Sequence, residues 1–148
     1  MTRLFLDVDG VINAQMPYGW GRLSKGHAQG YRITWAPRMI DALASLPLDL
    51  TWCTTWTDKA ASDIGGLIGW GQEAGYIPSA DEWSYSIDWK FPAVIREHVE
   101  GQRFVWIDDE IDGEMAVWAE NVGGLAIRTN PLTGITPQHI ERIERYLA

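Results

Sequence analysis

The sequence predicts an α/β fold with a doubly wound, mostly parallel sheet. Four short apolar runs read as buried strands, stripes at helical spacing lie between them, and the runs end in polar residues suited to turns. A length of 148 residues fits one domain, at about 100 to 200 residues each.

Taken in order, Leu4 to Val8 is an apolar run that empties into Asp-Val-Asp-Gly, the pattern of a buried strand entering a turn. Asn13 to about Trp35 reads as a loop. Ala36 to Leu46 carries Met39, Ile40, Leu43 and Leu46 on one helical face and stops at Pro47. Leu48 to Cys53 reads as a second strand, and Thr57-Asp58 can cap a helix running to about Ile68. Ser86 to Trp89 leads to Lys90, where Pro92 marks a helix start and Val94, Ile95, His98 and Val99 give an apolar stripe that Gly101 ends. Phe104 to Ile107 is a third strand, Leu125 to Ile127 a fourth, and Pro137 to Leu147 a closing amphipathic helix. There is no internal repeat and no low-complexity tract.

Composition narrows the function classes. With 46% hydrophobic and 22% charged residues, the chain is an ordinary globular sequence, which excludes disorder, collagen and coiled coil. Its net charge of -8 argues against broad attraction to nucleic acid or an anionic membrane, although a local basic patch can override that average. The one cysteine, Cys53, excludes an intramolecular disulfide framework and a cysteine-rich zinc site and suits a reducing compartment. The N-terminus lacks the apolar run of a secretory signal, and no stretch approaches the roughly 18 apolar residues of a membrane span. A cytoplasmic location, no membrane association and no obligate protein partner are the expectations.

In such sheets ligands bind outside the carboxyl ends of the strands. There the first run offers Asp7 and Asp9, the second Thr54 and Thr55, and the third Asp108 and Asp109, with Lys90 opening the helix between. Each alone is an ordinary turn or surface residue; together, at one edge of the sheet, they form a candidate functional set.

The order Asp-Val-Asp-Gly-Val-Ile, Leu-Thr-Trp-Cys-Thr-Thr, Lys90 and Val-Trp-Ile-Asp-Asp resembles the haloacid dehalogenase (HAD) superfamily of phosphohydrolases, over Leu4 to about Asp112. The resemblance implies a HAD-like Rossmannoid fold. It implies Asp7 as nucleophile, Asp9 as general acid and base, Thr54 as hydrogen-bond donor to the phosphoryl group and Lys90 as its counter-charge. It also implies a Mg2+ site drawn from Asp7, the Asp9 carbonyl, Asp108 and Asp109, with Asp109 as the direct ligand and Asp108 as partner of Lys90. Thr55 is eligible beside Thr54. A carboxylate cannot approach a phosphate dianion without a cation and a lysine, and hard oxygen ligands suit Mg2+. Superfamily ATPases carry Thr two residues after the nucleophile; Asp9 there favours hydrolysis of an aspartyl phosphate.

The gaps between motifs are too short for the cap domains of many relatives, so the chain resembles capless members, which often act on macromolecular phosphates. Small bacterial and phage members with phrases like Val-Trp-Ile-Asp-Asp-Glu are linked to RNA repair. Independently, Gly10 to Ile40 contains Arg22, Lys25, Arg32 and Arg38 and no acid, a charge of +4 that leaves -12 elsewhere. Interleaved Tyr18, Trp20, Tyr31 and Trp35 make this either a grip for phosphates and bases, with Arg22, Lys25 and Arg32 binding substrate, or a solvated loop whose aromatics fill core. The expected substrate is a phosphorylated molecule, either a nucleic-acid end or a nucleotide or other small phosphate. Two other classes compete: a receiver-type phosphoacceptor domain, whose acids and lysine come in a different order, and a silent Mg2+ or phosphate-binding module.

Weaker signals take ordinary readings. Gly69-Trp-Gly71-Gln-Glu-Ala74 follows a helix instead of a strand, so it lacks the setting of a dinucleotide fingerprint. His27, His98 and His139 are scattered; Cys53 reads as a small buried hydrophobe; Trp52, Trp56, Trp83, Trp89 and Trp106 read as packing; Asp81, Glu82 and Asp88 read as a solvated face.

Overall fold

A computed structural model describes residues 1–79 and 89–148. Asp81, Glu82, Trp83, Asp88 and the approach to Lys90 from Ser86 lie outside the described residues.

Five parallel strands form the main sheet in the order β5-β4-β1-β6-β7: β1 (Thr2–Leu6), β4 (Leu48–Trp52), β5 (Gly75–Tyr76), β6 (Phe104–Asp108) and β7 (Leu125–Arg128). β1 is central because its side chains are apolar on both faces. Leu4 and Leu6 join one buried cluster and Phe5 the other, while on β6 Val105 and Ile107 oppose Phe104 and Trp106 in the same way. Such two-sided burial is what a continuous apolar run requires, and it demands helices on both faces.

On one face pack α1 (Pro37–Ala44), through Met39, Ile40 and Leu43, and α5 (Pro137–Leu147), through Ile140 and Ile143. On the other pack α3 (Lys90–Glu97), through Ala93 and Val94, and α4 (Gly113–Asn121), through Met115 and Ala119. Pro37 and Pro137 each open a helix, where their missing N–H costs nothing. His139 has a local role. Its Nδ1 accepts from the Thr136 backbone N–H at 3.0 Å, completing a capping box at the start of α5.

Several elements differ from the sequence expectation: the two-residue β5 carries no apolar run, and α3 ends at Glu97 with Ile95 and Val99 exposed instead of lying on a buried stripe. The stretch from Asn13 to Trp35 is not only a loop: Ser24–Ala28 (β2) and Tyr31–Trp35 (β3) form a separate antiparallel hairpin. Its Ser-Lys-Gly-His-Ala strand has no β-branched residue, so propensity gives no signal; burial of Ala28, Ile33 and Trp35 supplies the stability instead. The helix expected from Thr57-Asp58 to about Ile68 is present from Asp58, but its middle, Ala60–Gly65, is π-helical before it runs into α2 (Gly66–Ile68), and Thr57 makes no cap bond to it, its Oγ1 donating to Asp58 Oδ1 at 3.2 Å. Thr57 itself takes φ 48°, which no helix admits. α4 has no strong apolar stripe, and its legible signal is Asp112, whose Oδ1 accepts from Met115 N at 2.9 Å as an N-cap.

The hairpin turn is Gln29-Gly30, with φ 50° and 80°, the two positive values of a tight two-residue turn whose twist matches the strands. Gly26 lies so close to Leu67 that a Cβ would meet Leu67 Cδ1 at 2.7 Å, which presses the hairpin onto α2. Trp20 Nε1 donates to the Ile135 carbonyl at 2.8 Å and ties the hairpin's root to the loop after β7. Among the described residues no helix is long and apolar enough to cross a membrane. Gly30→Val should destabilise the protein by about 1–3 kcal/mol, since a β-branched residue is strained at positive φ; urea denaturation measures it, and an unchanged midpoint would contradict the turn assignment.

Candidate active site

The parallel register of β1 and β6 sets the first contact. Leu6 pairs with Ile107, so the residues just beyond, Asp7 and Asp108, emerge side by side at the carboxyl edge of the two central strands. Asp7 N donates to the Ile107 carbonyl at 3.1 Å, which carries the ladder one residue past β1 and fixes that edge. Lys90, at the first turn of α3, reaches both: its Nζ lies 2.8 Å from Asp108 Oδ2 and 3.3 Å from Asp7 Oδ2. All three are buried, and Asp108 is wholly inaccessible.

Burial alone would neutralise these groups. It pulls the Lys90 ammonium down, but Asp7 and Asp108 together outweigh it and hold the ammonium above its ordinary range. Burial and then the Asp108 charge push Asp7 well above the usual carboxylate range, against the opposing pull of Lys90. Half-buried Asp109 is pushed up to about 6 by burial and by Asp108. One carboxylate oxygen from each of Asp7, Asp108 and Asp109 lies within 4.8 Å of the others, and the lysine beside them pairs with only two of the three. That excess of hard oxygen donors could hold a metal ion, and its chemistry suits Mg2+. Asp108 already uses Oδ2 on Lys90 and accepts from Glu110 N through Oδ1 at 3.0 Å. Asp109 is the acid of the pair with carboxylate capacity to spare.

Asp9 stands apart from that cluster and is exposed. Its carboxylate is held by two neutral donors: Asn13 Nδ2 to Oδ1 at 3.0 Å and Trp56 Nε1 to Oδ2 at 2.9 Å. The N–H groups of Val11, Ile12 and Asn13 all converge on the Val8 carbonyl, a single tight turn that brings Asn13 back over Asp9. Asn13 Oδ1 in turn accepts from Thr34 N at 2.9 Å, linking Asp9 to β3. Gly10 is obligatory at the centre of this turn: it has φ 76°, and a Cβ would collide with the Asp109 carboxylate, whose Cγ would be 2.7 Å away. Thr129, just past β7, donates from Oγ1 to the Gly10 carbonyl at 2.6 Å and seats the turn.

At the end of β4, Thr54 is buried and Thr55 exposed. Thr54 Oγ1 accepts from Trp56 N at 3.3 Å. The structure therefore brings Asp7, Lys90, Asp108 and Asp109 into contact, with Asp9 beside them on the Gly10 turn and Thr54 facing inward from the neighbouring strand. The basic segment divides. Lys25 and Arg32 line a cleft that also contains Asp9, whereas Arg22 does not line it and Arg38 lies on α1. Of the aromatic residues, Trp20 and Trp35 are core and Tyr18 and Tyr31 are exposed.

Sequence reasoning missed two side chains. Trp56, read as packing, donates to Asp9 and meets the Tyr31 ring edge-on at 6.0 Å between centroids. Its proximity to Thr54-Thr55 was the only signal available. Asn13 carried none beyond lying four residues after Asp9, the distance that one tight turn closes. Cys53 is buried beside Lys90, Asp7 and Asp108, with burial pushing its thiol far up, so it is a small core residue and not a nucleophile.

A family described as "HAD domain in Swiss Army Knife RNA repair proteins" matches residues 3–140. The chain belongs to that family. Membership implies a phosphohydrolase-type function related to RNA repair, in a superfamily that generally uses Mg2+, and it sets the receiver-type reading aside. No curated protein and no solved structure matches the chain.

Two outcomes test this electrostatic picture. Lys90→Met leaves the Asp108 carboxylate buried without a cation and should cost about 3–5 kcal/mol in denaturation; a loss below about 1 kcal/mol would contradict it. Asp109 holds its proton more tightly folded than unfolded, so its contribution favours the fold below its ordinary 3.8 and is lost as pH rises through about 6. Without metal, Asp109→Asn should therefore gain stability relative to wild type between pH 4 and pH 7, as read from melting temperatures. A constant difference would show that Asp109 titrates normally.

Proposed function

We propose that this protein is a Mg2+-dependent phosphomonoesterase that acts through an aspartyl phosphate and removes phosphate from nucleic-acid ends. The observation that carries the reading is the buried Asp7, sharing Lys90 with Asp108 at adjacent strand ends, beside Asp109 and with Asp9 on the next turn.

An Asp7 carboxylate oxygen attacks phosphorus, the bond to the leaving oxygen breaks, and Asp9 passes a proton to that oxygen. Asp9, now a carboxylate, takes a proton from water as the water attacks the aspartyl phosphate, which releases inorganic phosphate and restores Asp7. Lys90 offsets the negative charge at Asp7, and the buried Thr54 is the hydrogen-bond donor to the phosphoryl oxygens. Asp7, Asp109 and the Asp9 carbonyl would hold Mg2+, with Asp108 orienting Lys90; when bound, the ion supplies the neutralisation that lets a carboxylate meet a phosphate dianion. Asn13 and Trp56 hold the Asp9 carboxylate in place between the two proton transfers. Support for a nucleic-acid end comes from the family description and from Lys25 and Arg32 beside Asp9. The reducing compartment suited to a lone thiol accords with a cytoplasmic location.

Phosphate release should be measured across mononucleotides, sugar phosphates, phosphopeptides and phosphorylated oligonucleotides. Asp7→Asn should abolish it with the fold retained, and EDTA should silence the wild type until Mg2+ is restored. Turnover by Asp7→Asn, or full activity in chelator, would sink the mechanism, and a preference for mononucleotides would redirect the substrate to a small molecule. Trp56→Phe removes one of the two donors to Asp9. It should slow hydrolysis of an alkyl phosphate by about 10-fold or more, within the roughly 10²–10⁴-fold share of a general acid. The loss should be smaller for p-nitrophenyl phosphate, whose leaving group needs less protonation; equal losses would show a role unrelated to Asp9.

A further inference from the structure

The cleft shared by Asp9, Lys25 and Arg32 has a volume of about 530 Å³, within the roughly 300–1,000 Å³ of ligand sites, and its walls also include Asn13, Thr34 and Pro131. One wall is the turn that carries Asp9 and the other is the outer face of the hairpin. The hairpin register explains which residues face it. Lys25 pairs with Thr34 and His27 with Arg32, so these four share one face, while Ala28, Ile33 and Trp35 bury the other. Along that face Lys25 and Arg32 are exposed cations, and among the described residues neither forms an ion pair. Among the described residues the only acid lining the cleft is Asp9, whose carboxylate is already held by Asn13 and Trp56. The cations are therefore free to meet an anion from outside.

Position then says which anion. In the reaction proposed above, Asp9 protonates the leaving oxygen, so whatever lies past Asp9 along the cleft belongs to the leaving alcohol and not to the phosphate being transferred. An alcohol that extends into a cleft with two exposed cations gains most there if it carries negative charge itself. We infer that this cleft is a subsite for the phosphodiester next to the scissile phosphate, in which Lys25 and Arg32 grip the backbone of a phosphorylated oligonucleotide. The inference rests on the phosphatase reading for its direction along the cleft, but the cleft and its charges stand without it. It also separates Arg22, which lies outside, from the two residues that do the binding. Anchoring of β3 to Asn13 through Thr34 keeps the subsite at a fixed offset from Asp9, so substrates must carry their second phosphate at one distance from the first.

The test compares wild type with the Lys25→Ala/Arg32→Ala double variant on p-nitrophenyl phosphate, mononucleotides, and 5′- or 3′-phosphorylated pentanucleotides. Wild type should show a higher kcat/KM for one pentanucleotide than for its mononucleotide. The double variant should lose about 10-fold or more of that advantage, chiefly in KM. The salt dependence of log KM for the pentanucleotide should become shallower by about 1.4, at roughly 0.7 per contact to a single strand. Arg145→Ala removes an exposed charge on α5, far in sequence from the hairpin, and should keep the advantage. If the double variant keeps it too, or Arg145→Ala loses as much, the subsite is refuted and the effect is one of net charge. If wild type hydrolyses no phosphomonoester, the phosphatase reading fails instead. The cleft is then judged by fluorescence anisotropy with a labelled phosphorylated pentanucleotide, where equal Kd for wild type and double variant overturns the subsite and about 10-fold weaker binding by the variant sustains it.

Discussion

One buried ammonium holds the site together. Lys90 bridges Asp7 and Asp108 at the edge of the two central strands, and without it two carboxylates would be forced together in a water-poor environment with no cation to offset their repulsion. Breaking such a bridge costs more than forming it gains, because the partners left behind cannot return to water. The bridge also joins the sheet to α3, since its cation comes from that helix and its anions from the ends of β1 and β6. Stability and the candidate site thus lean on the same atoms.

Around this fixed centre the remaining parts are arranged by close approach. Gly10 lets the Asp109 carboxylate lie against the turn, Thr129 pins that turn from β7, and Asn13 carries the connection outward to β3. The consequence is that Asp9 and the hairpin form one unit. A residue such as Trp56, which touches Asp9 with its indole N–H and Tyr31 with its ring, ties the Asp9 carboxylate to the packing of the hairpin. The hairpin is too small to cover the site as a separate domain would, but it supplies a wall that carries two exposed cations, Lys25 and Arg32.

Four of the five sheet strands were legible in the sequence because buried parallel strands need continuous apolar runs, as in Leu4–Leu6 and Phe104–Ile107; β5 was not, being two exposed residues that pair only at the sheet's edge. The helices with strong stripes, α1 and α5, were legible for the matching reason. The hairpin was not. Ser24–Ala28 is polar around a single central glycine, Gly26, and it becomes a strand only because its partner buries Ile33 and Trp35 in the shared core. α4 escaped notice for want of a stripe, its cap at Asp112 being the one local cue.

By itself the sequence determined the strand-end acids, the lysine between them and hence the class of chemistry, because parallel strands deliver their next residues to a common edge wherever they sit in the chain. The tertiary structure alone decided how those residues divide the work. Registry of β1 with β6 places Asp108 on Lys90 and leaves Asp109 capacity to spare. The tight turn after Val8 brings Asn13 onto Asp9, and the hairpin register sends Lys25 and Arg32 into the cleft while leaving Arg22 outside it. These are distances of a few ångströms between residues far apart in the chain, set by packing and pairing, which no local pattern of residue types encodes.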